Sequence, residues 1–306
     1  MQLTPSSKSP AVSSPKIFWL SLAALTIAFI GPFTSLVRFA LHNELYSYVL
    51  LVPAVSLYLA WQRRGTAPTN GKSMSGLAWV PLAIGAALFI WYVSARLSNV
   101  IWATQDSLAL TISTGLFWGA AFCIRYMDTS KLLALAFPLG FLVFMVPLPV
   151  IAETNLETFL QHGSALAAQF FFTLAGTTVF VDQLTFQLPG ITLMIAPECS
   201  GIHSSLVLLI TSLLAGYLFL RSPGKRAVLA LAVIPLALLR NGLRVFVIGE
   251  LCVRIGPEMI DSYIHHHGGP IFFVLSLIPF SLLLVILVKS ESKTSARVVS
   301  TQPPPS

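Results

Sequence analysis

The sequence predicts an all-α integral membrane protein of about eight transmembrane helices, with an outer amphipathic helix and a short β-hairpin. Hydrophobic residues make up 56% of the 306-residue chain and charged residues only 9%, whereas a soluble domain carries about a quarter charged residues. The mean hydropathy is +0.82. Apolar runs approaching the roughly 20 residues needed to cross a bilayer recur along the chain. Lys and Arg cluster in alternate connections between those runs, as they do when cytoplasmic loops hold the positive charge.

Eight runs qualify as spans: 17–37, 45–61, 76–95, 106–124, 132–151, 201–220, 227–249 and 270–288. The first follows Lys8 and Lys16 without a small-residue cleavage site and is too long for a secretory core, so it reads as a retained signal anchor. Lys8, Lys16, Arg63, Arg64, Lys72, Arg125, Lys131, Arg221, Lys225, Arg226, Lys289, Lys293 and Arg297 then fall on one side. Arg38, Arg96 and Arg254 are the only basic loop residues on the other, and no Lys or Arg lies between Lys131 and Arg221. Both termini are therefore expected in the cytoplasm. Residues 1–16 and 289–306, rich in Ser, Pro and Lys, read as disordered tails flanking one polytopic catalytic domain over 17–288.

The segment 152–200 is consequently expected outside. Glu153 to Ala175 sets Glu153, Glu157, Gln161 and Gln169 among Leu156, Phe159, Leu160, Leu166 and Phe170. That mixture predicts an interfacial or re-entrant amphipathic helix, with a full span as the alternative, against which its polar first turns argue. Residues 178–195 are rich in β-branched and aromatic side chains around Pro189-Gly190, a hairpin signal. The hairpin delivers the chain to Cys199 at the mouth of the sixth span.

The net charge of +7 is dispersed over loops and tails, with no basic stripe that would indicate nucleic acid. Three cysteines without CxxC spacing form neither a disulfide framework nor a structural zinc site. What stands out is polar chemistry gathered at one face: Glu198-Cys199-Ser200-Gly201, Arg240-Asn241-Gly242-Leu243-Arg244 and His265-His266-His267-Gly268-Gly269. A cysteine opening a helix gains from the free N–H groups and the macrodipole, which favour thiolate and an adjacent oxyanion. Arginine inside a membrane helix is costly and marks a functional site; Arg244 falls near the outer interface and Arg240 one turn deeper. Three adjacent histidines cannot all face one metal, which leaves one imidazole as general acid/base. Thiol, guanidinium and imidazole together are the parts of a thiol acyl-transferase or protease. A polytopic anion transporter or channel built on the arginines and a membrane metallohydrolase built on the histidines are the competing classes.

These three motifs, in this order, resemble the exosortase/archaeosortase family of integral membrane transpeptidases. Its members share a cysteine in an E-x-C-S/T-G-type turn, an arginine in N-x-x-R, and a histidine shortly before a Gly and an aromatic-rich last helix. Cys199-Ser200-Gly201, with Glu198 directly before the cysteine instead of two before it, Asn241 to Arg244, and His265 before Gly269 and Phe272-Phe273 correspond to these positions. Met145-Val-Pro-Leu-Pro149 resembles the family's proline-bearing segment. Spacing favours His265 over His266, and Arg240 stands beside the motif arginine. The resemblance implies a cysteine peptidase or transpeptidase at the periplasmic face of the bacterial inner membrane. Cys199, Arg244 and His265 would be the catalytic residues, with Arg240, His266, Glu198 and Asn241 as additional or alternative members. Its partners would be the C-terminal sorting-signal regions (Pro-Glu-Pro-like) of exported proteins, together with membrane lipids. The implied chemistry requires no metal or organic cofactor.

Overall fold

The computed structural model describes residues 15–63, 75–98, 102–261 and 268–300. The chain divides into two compact units, Met1–Val150 and Ile151–Ser306. The first holds helices Pro15–Ala28 (α1), Ile30–His42 (α2), Val52–Gln62 (α3), Trp79–Leu97 (α4), Thr104–Tyr126 (α5), Thr129–Ala134 (α6) and Ala136–Phe141 (α7). The second holds Val150–Ala175 (α8), whose first residue belongs to the first unit, then Ile202–Phe219 (α9), Pro223–Leu231 (α10), Val233–Arg254 (α11) and Gly269–Ser300 (α12). Arg38, Arg96 and Arg254, expected in loops, all sit inside helices, in α2, α4 and α11.

Among the described residues, six helical stretches are long and apolar enough to cross a membrane: Glu44–Gln62, Gly76–Leu97, Thr104–Tyr126, Ile202–Phe219, Pro223–Arg254 and Gly269–Ser292. Two bent pairs raise the number to as many as eight. The first pair falls where the sequence predicts one plain span and the second joins the expected span 132–151 to the expected amphipathic helix; proline lies at each bend. The run 17–37 bends by 56° between Ala28 and Ile30, because Pro32 has no N–H to give the Ala28 carbonyl. The run 132–151 is not one helix either: it breaks at Val146-Pro147-Leu148-Pro149. There the N–H of Val150 donates to Asp106 Oδ1 at 2.8 Å, a cap supplied from α5. At the other end, α12 runs past residue 288 to Ser300.

In the second unit the hairpin is a three-stranded antiparallel meander, Phe180–Asp182 (β1), Thr185–Leu188 (β2) and Ile191–Met194 (β3). Pro189-Gly190 makes the expected turn, pairing Leu188 with Ile191. The extra strand turns at Gln183-Leu184, where Gln183 takes φ +53° without a Gly, Asn or Pro to announce it. Alternation buries Phe186, Leu188 and Leu193 against Ala165, Ala168 and Phe172 of α8. A second core joins α9, α10, α11 and α12 through Leu208, Leu229, Val233 and Phe280.

The expected polarity of α8 is kept only in part: Leu160 and Phe172 are buried and Thr158, His162 and Gln169 exposed, but other positions run the opposite way. Its buried residues include Gln161 and Ser164, while Phe159, Leu166, Phe170 and Leu174 are exposed. Gln161 and Ser164 form a polar seam on the buried side, where Ile195 O and Asn241 supply their hydrogen-bond partners. The seam meets α11 closely. A Cβ on Gly242 would stand 2.4 Å from Ala167 Cβ and 2.9 Å from the Ala167 backbone, so only glycine permits this approach.

Candidate active site

Cys199 ends a short 3-10 turn, Pro197–Cys199, that links the sheet to α9. The N–H groups of Cys199 and Ser200 donate to the carbonyls of Ala196 and Pro197, at 2.9 and 3.0 Å. This corrects the expectation of a cysteine on the helix N-terminus itself. The N-cap is Gly201, at φ +73°, and the two N–H groups nearest the thiol are occupied by the turn. A side chain at Gly201 would be strained by that φ and would also crowd Arg240 Nη2 and Asn241 Oδ1, each 3.0 Å from its Cβ. Ile202 then opens an apolar helix that anchors the turn through buried Ile202, Leu206 and Leu208.

α11 carries the next three candidates, and the structure separates them. Arg240 is only 7% exposed. Its Nη2 donates to the Gly201 carbonyl and to Ser205 Oγ, both at 3.2 Å, so it fastens the start of α9. Asn241 is buried and donates through Nδ2 to the Cys199 carbonyl at 2.8 Å and to Ser164 Oγ at 3.0 Å. Arg244, one turn beyond Arg240, lies in the cleft that also holds Cys199. That cleft, about 120 Å3, is walled by Leu193 and Met194 of β3, by Ile195 and Ala196, by Val245 and Ile248 of α11, and by Ile260. Among these described lining residues only Arg244 carries a charge. In such apolar surroundings a guanidinium favours a thiolate over a thiol and an oxyanion over a carbonyl.

None of the three cysteines is in a disulfide; Cys123 and Cys252 are buried and Cys199 is half-buried. Glu198 belongs to the Pro197–Cys199 turn, but its side chain lies outside the described part of the structure. His265, His266 and His267 also lie outside the described residues. Among the described residues no group of three His, Cys, Asp or Glu is placed to hold a metal ion.

Sequence reasoning missed two residues that hold the cysteine segment, Gln161 directly and Ser164 through Asn241. Gln161, 7% exposed, donates from Nε2 to the Ile195 carbonyl at 3.0 Å. Ser164, fully buried, accepts from Asn241. Their spacing of three places both on one face of a helix. Read as the wet side of an interfacial helix, that face gave no sign of pointing inward.

A family model described as Transmembrane exosortase (Exosortase_EpsH) matches residues 40–282. The chain belongs to this family. The match spans both units and includes Cys199, Asn241, Arg244 and His265. Exosortases are membrane proteins of the transpeptidase and peptidase class. No curated protein and no solved structure matches the chain.

Proposed function

We propose that this exosortase is a membrane cysteine peptidase or transpeptidase that cleaves the C-terminal sorting signal of exported proteins. The observation that carries the reading is the shared cleft of Cys199 and Arg244. In the proposed reaction the Cys199 thiolate attacks the scissile carbonyl carbon, and its electrons move onto the carbonyl oxygen. Arg244 stabilises that oxyanion, a role made heavier because the turn's own N–H groups at 199 and 200 are occupied. Collapse of the intermediate expels the amine, which takes a proton from His265, and leaves a thioester on Cys199. His265, now neutral, deprotonates the water or amine that resolves the thioester. Ile260, five residues before His265 in the sequence, is in the cleft wall. Arg240 and Asn241 hold the turn from beneath and do not face the substrate in this scheme.

The Lys and Arg distribution supports a topology with both termini in the cytoplasm and the cleft on the periplasmic side of the inner membrane. A substrate helix packs among the spans, leaving its short motif at the outer interface beside the cleft. The membrane lipids around the exposed apolar faces are part of that arrangement. Among the described residues neither the transporter nor the metallohydrolase reading has a structural feature of its own to favour it.

The test is processing of a tagged substrate that ends in a short motif, an apolar helix and a basic cluster. Cys199→Ala is expected to abolish processing with the protein still in the membrane, and Cys123→Ala to retain it. Full processing by Cys199→Ala overturns the reading.

A further inference from the structure

We propose that Gln161 is a positioning residue for Cys199, acting through the Ile195 carbonyl. The segment from Ile195 to Gly201 contains only one short turn, yet three buried side chains grip its carbonyls. Gln161 of α8 takes Ile195 O, Asn241 of α11 takes Cys199 O, and Arg240 takes Gly201 O. The Ile195 N–H is held separately, by Leu184 O at 2.9 Å. Ser164, three residues after Gln161 on α8, receives the other Asn241 bond. The entry and the exit of the cysteine turn are therefore tied to the same helix.

A buried carbonyl needs a partner somewhere, and a residue that only satisfied one would affect folding alone. The placement of this one argues for more. Ile195, Cys199 and Arg244 all line the cleft, so a shift at Ile195 moves the nucleophile relative to the guanidinium. Displacement by about 1 Å is enough to cost roughly 100-fold in rate. It also weakens the electrostatic support of the thiolate by Arg244, which raises the thiol pKa. Gln161 thus sets both the reach and the ionisation of Cys199 without touching substrate.

This inference rests on the proposed Cys199–Arg244 chemistry, and the test separates the two. The full-length protein in detergent is treated with iodoacetamide over a pH series. Alkylation at Cys199 is read by peptide mass spectrometry, alongside kcat and KM for processing. Gln161→Met keeps the volume and removes the donor. It is expected to lower kcat by about 10- to 100-fold with KM within about 2-fold, and to raise the alkylation midpoint by about half a pH unit or more. Arg244→Ala is expected to raise the midpoint as well. If Arg244→Ala raises it and Gln161→Met leaves midpoint and kcat unchanged, the positioning role is overturned and the chemistry stands. If Arg244→Ala leaves it unmoved, the chemistry itself fails. Should Gln161→Met not fold, Gln161→Glu, of the same shape but an acceptor at neutral pH, is read in its place. Failure of both variants to fold makes Gln161 a structural residue and also overturns the proposal.

Discussion

Arg240 and Arg244 are one turn apart on one helix, yet they have different work. Arg240 is sealed in, with donors on Gly201 O and Ser205 Oγ, whereas Arg244 opens onto the cleft. Arg244→Ala is expected to reduce the processing rate by roughly 10²–10³-fold at normal expression. Arg244→Lys restores little of it, since an ammonium lacks the planar fork of donors. Arg240→Ala should instead lower the amount and thermal stability of the protein, because it strips partners from the start of α9. Equal expression with a complete loss of rate in Arg240→Ala would exchange the two roles. The sequence singled out both arginines by their depth, but depth alone does not reveal which carbonyl a guanidinium meets.

The histidines belong to the same scale. If one imidazole transfers the proton, single Ala substitutions at His265, His266 and His267 give one severe loss, at His265, and two mild ones. The wild-type kcat/KM then carries a limb near the imidazole range, about pH 6–7. The His265→Ala variant lacks that limb. Three mild variants with the limb retained would pass the role to another residue. His203, in the first turn of α9 four residues after Cys199, would be the next substitution to make.

At the scale of elements, α8 and α11 form the platform beneath the cysteine turn, and Gly242 is where they meet. Gly242→Val puts a branched side chain where even a Cβ is 2.4 Å from Ala167. It should cost on the order of 1–3 kcal/mol or more through overpacking, and lower both folded yield and activity. A fully stable, active Gly242→Val protein would show that the helices do not meet there. The sequence announced six of its eight spans as single helical stretches, the Pro189-Gly190 turn and the helix over 153–175. It misjudged the inside of that helix because amphipathic patterning is read against water. Gln161 and Ser164 turn inward because their partners, the Ile195 carbonyl and Asn241, are there. The missed strand β1 has a comparable cause, a turn at Gln183-Leu184 built from residues with no turn preference.

For the whole molecule, the segregation of Lys and Arg was the most legible global signal. It predicts that reporters fused at either terminus report cytoplasm, and that a reporter fused after Gly176 reports the periplasm. A periplasmic signal from a terminal fusion would invert the topology and move the cleft to the wrong side for exported substrates. What the sequence could not supply was the relation among the three motifs, which depends on how α8, α11 and the sheet fold around the turn. The structure joins two of the motifs directly, through Asn241 on Cys199 O and through the cleft shared by Cys199 and Arg244.

The central claim is covalent chemistry at Cys199, and trapping the intermediate tests it most directly. Substrate and enzyme are mixed, quenched in acid, and examined by intact-mass and peptide mass spectrometry. The account predicts an adduct on Cys199 equal in mass to the substrate's N-terminal fragment in thioester linkage. It should be released by neutral hydroxylamine, be absent in Cys199→Ala, and accumulate when the resolving nucleophile is withheld. Efficient processing with no such adduct under any quench, or an adduct mapped to another residue, would contradict it.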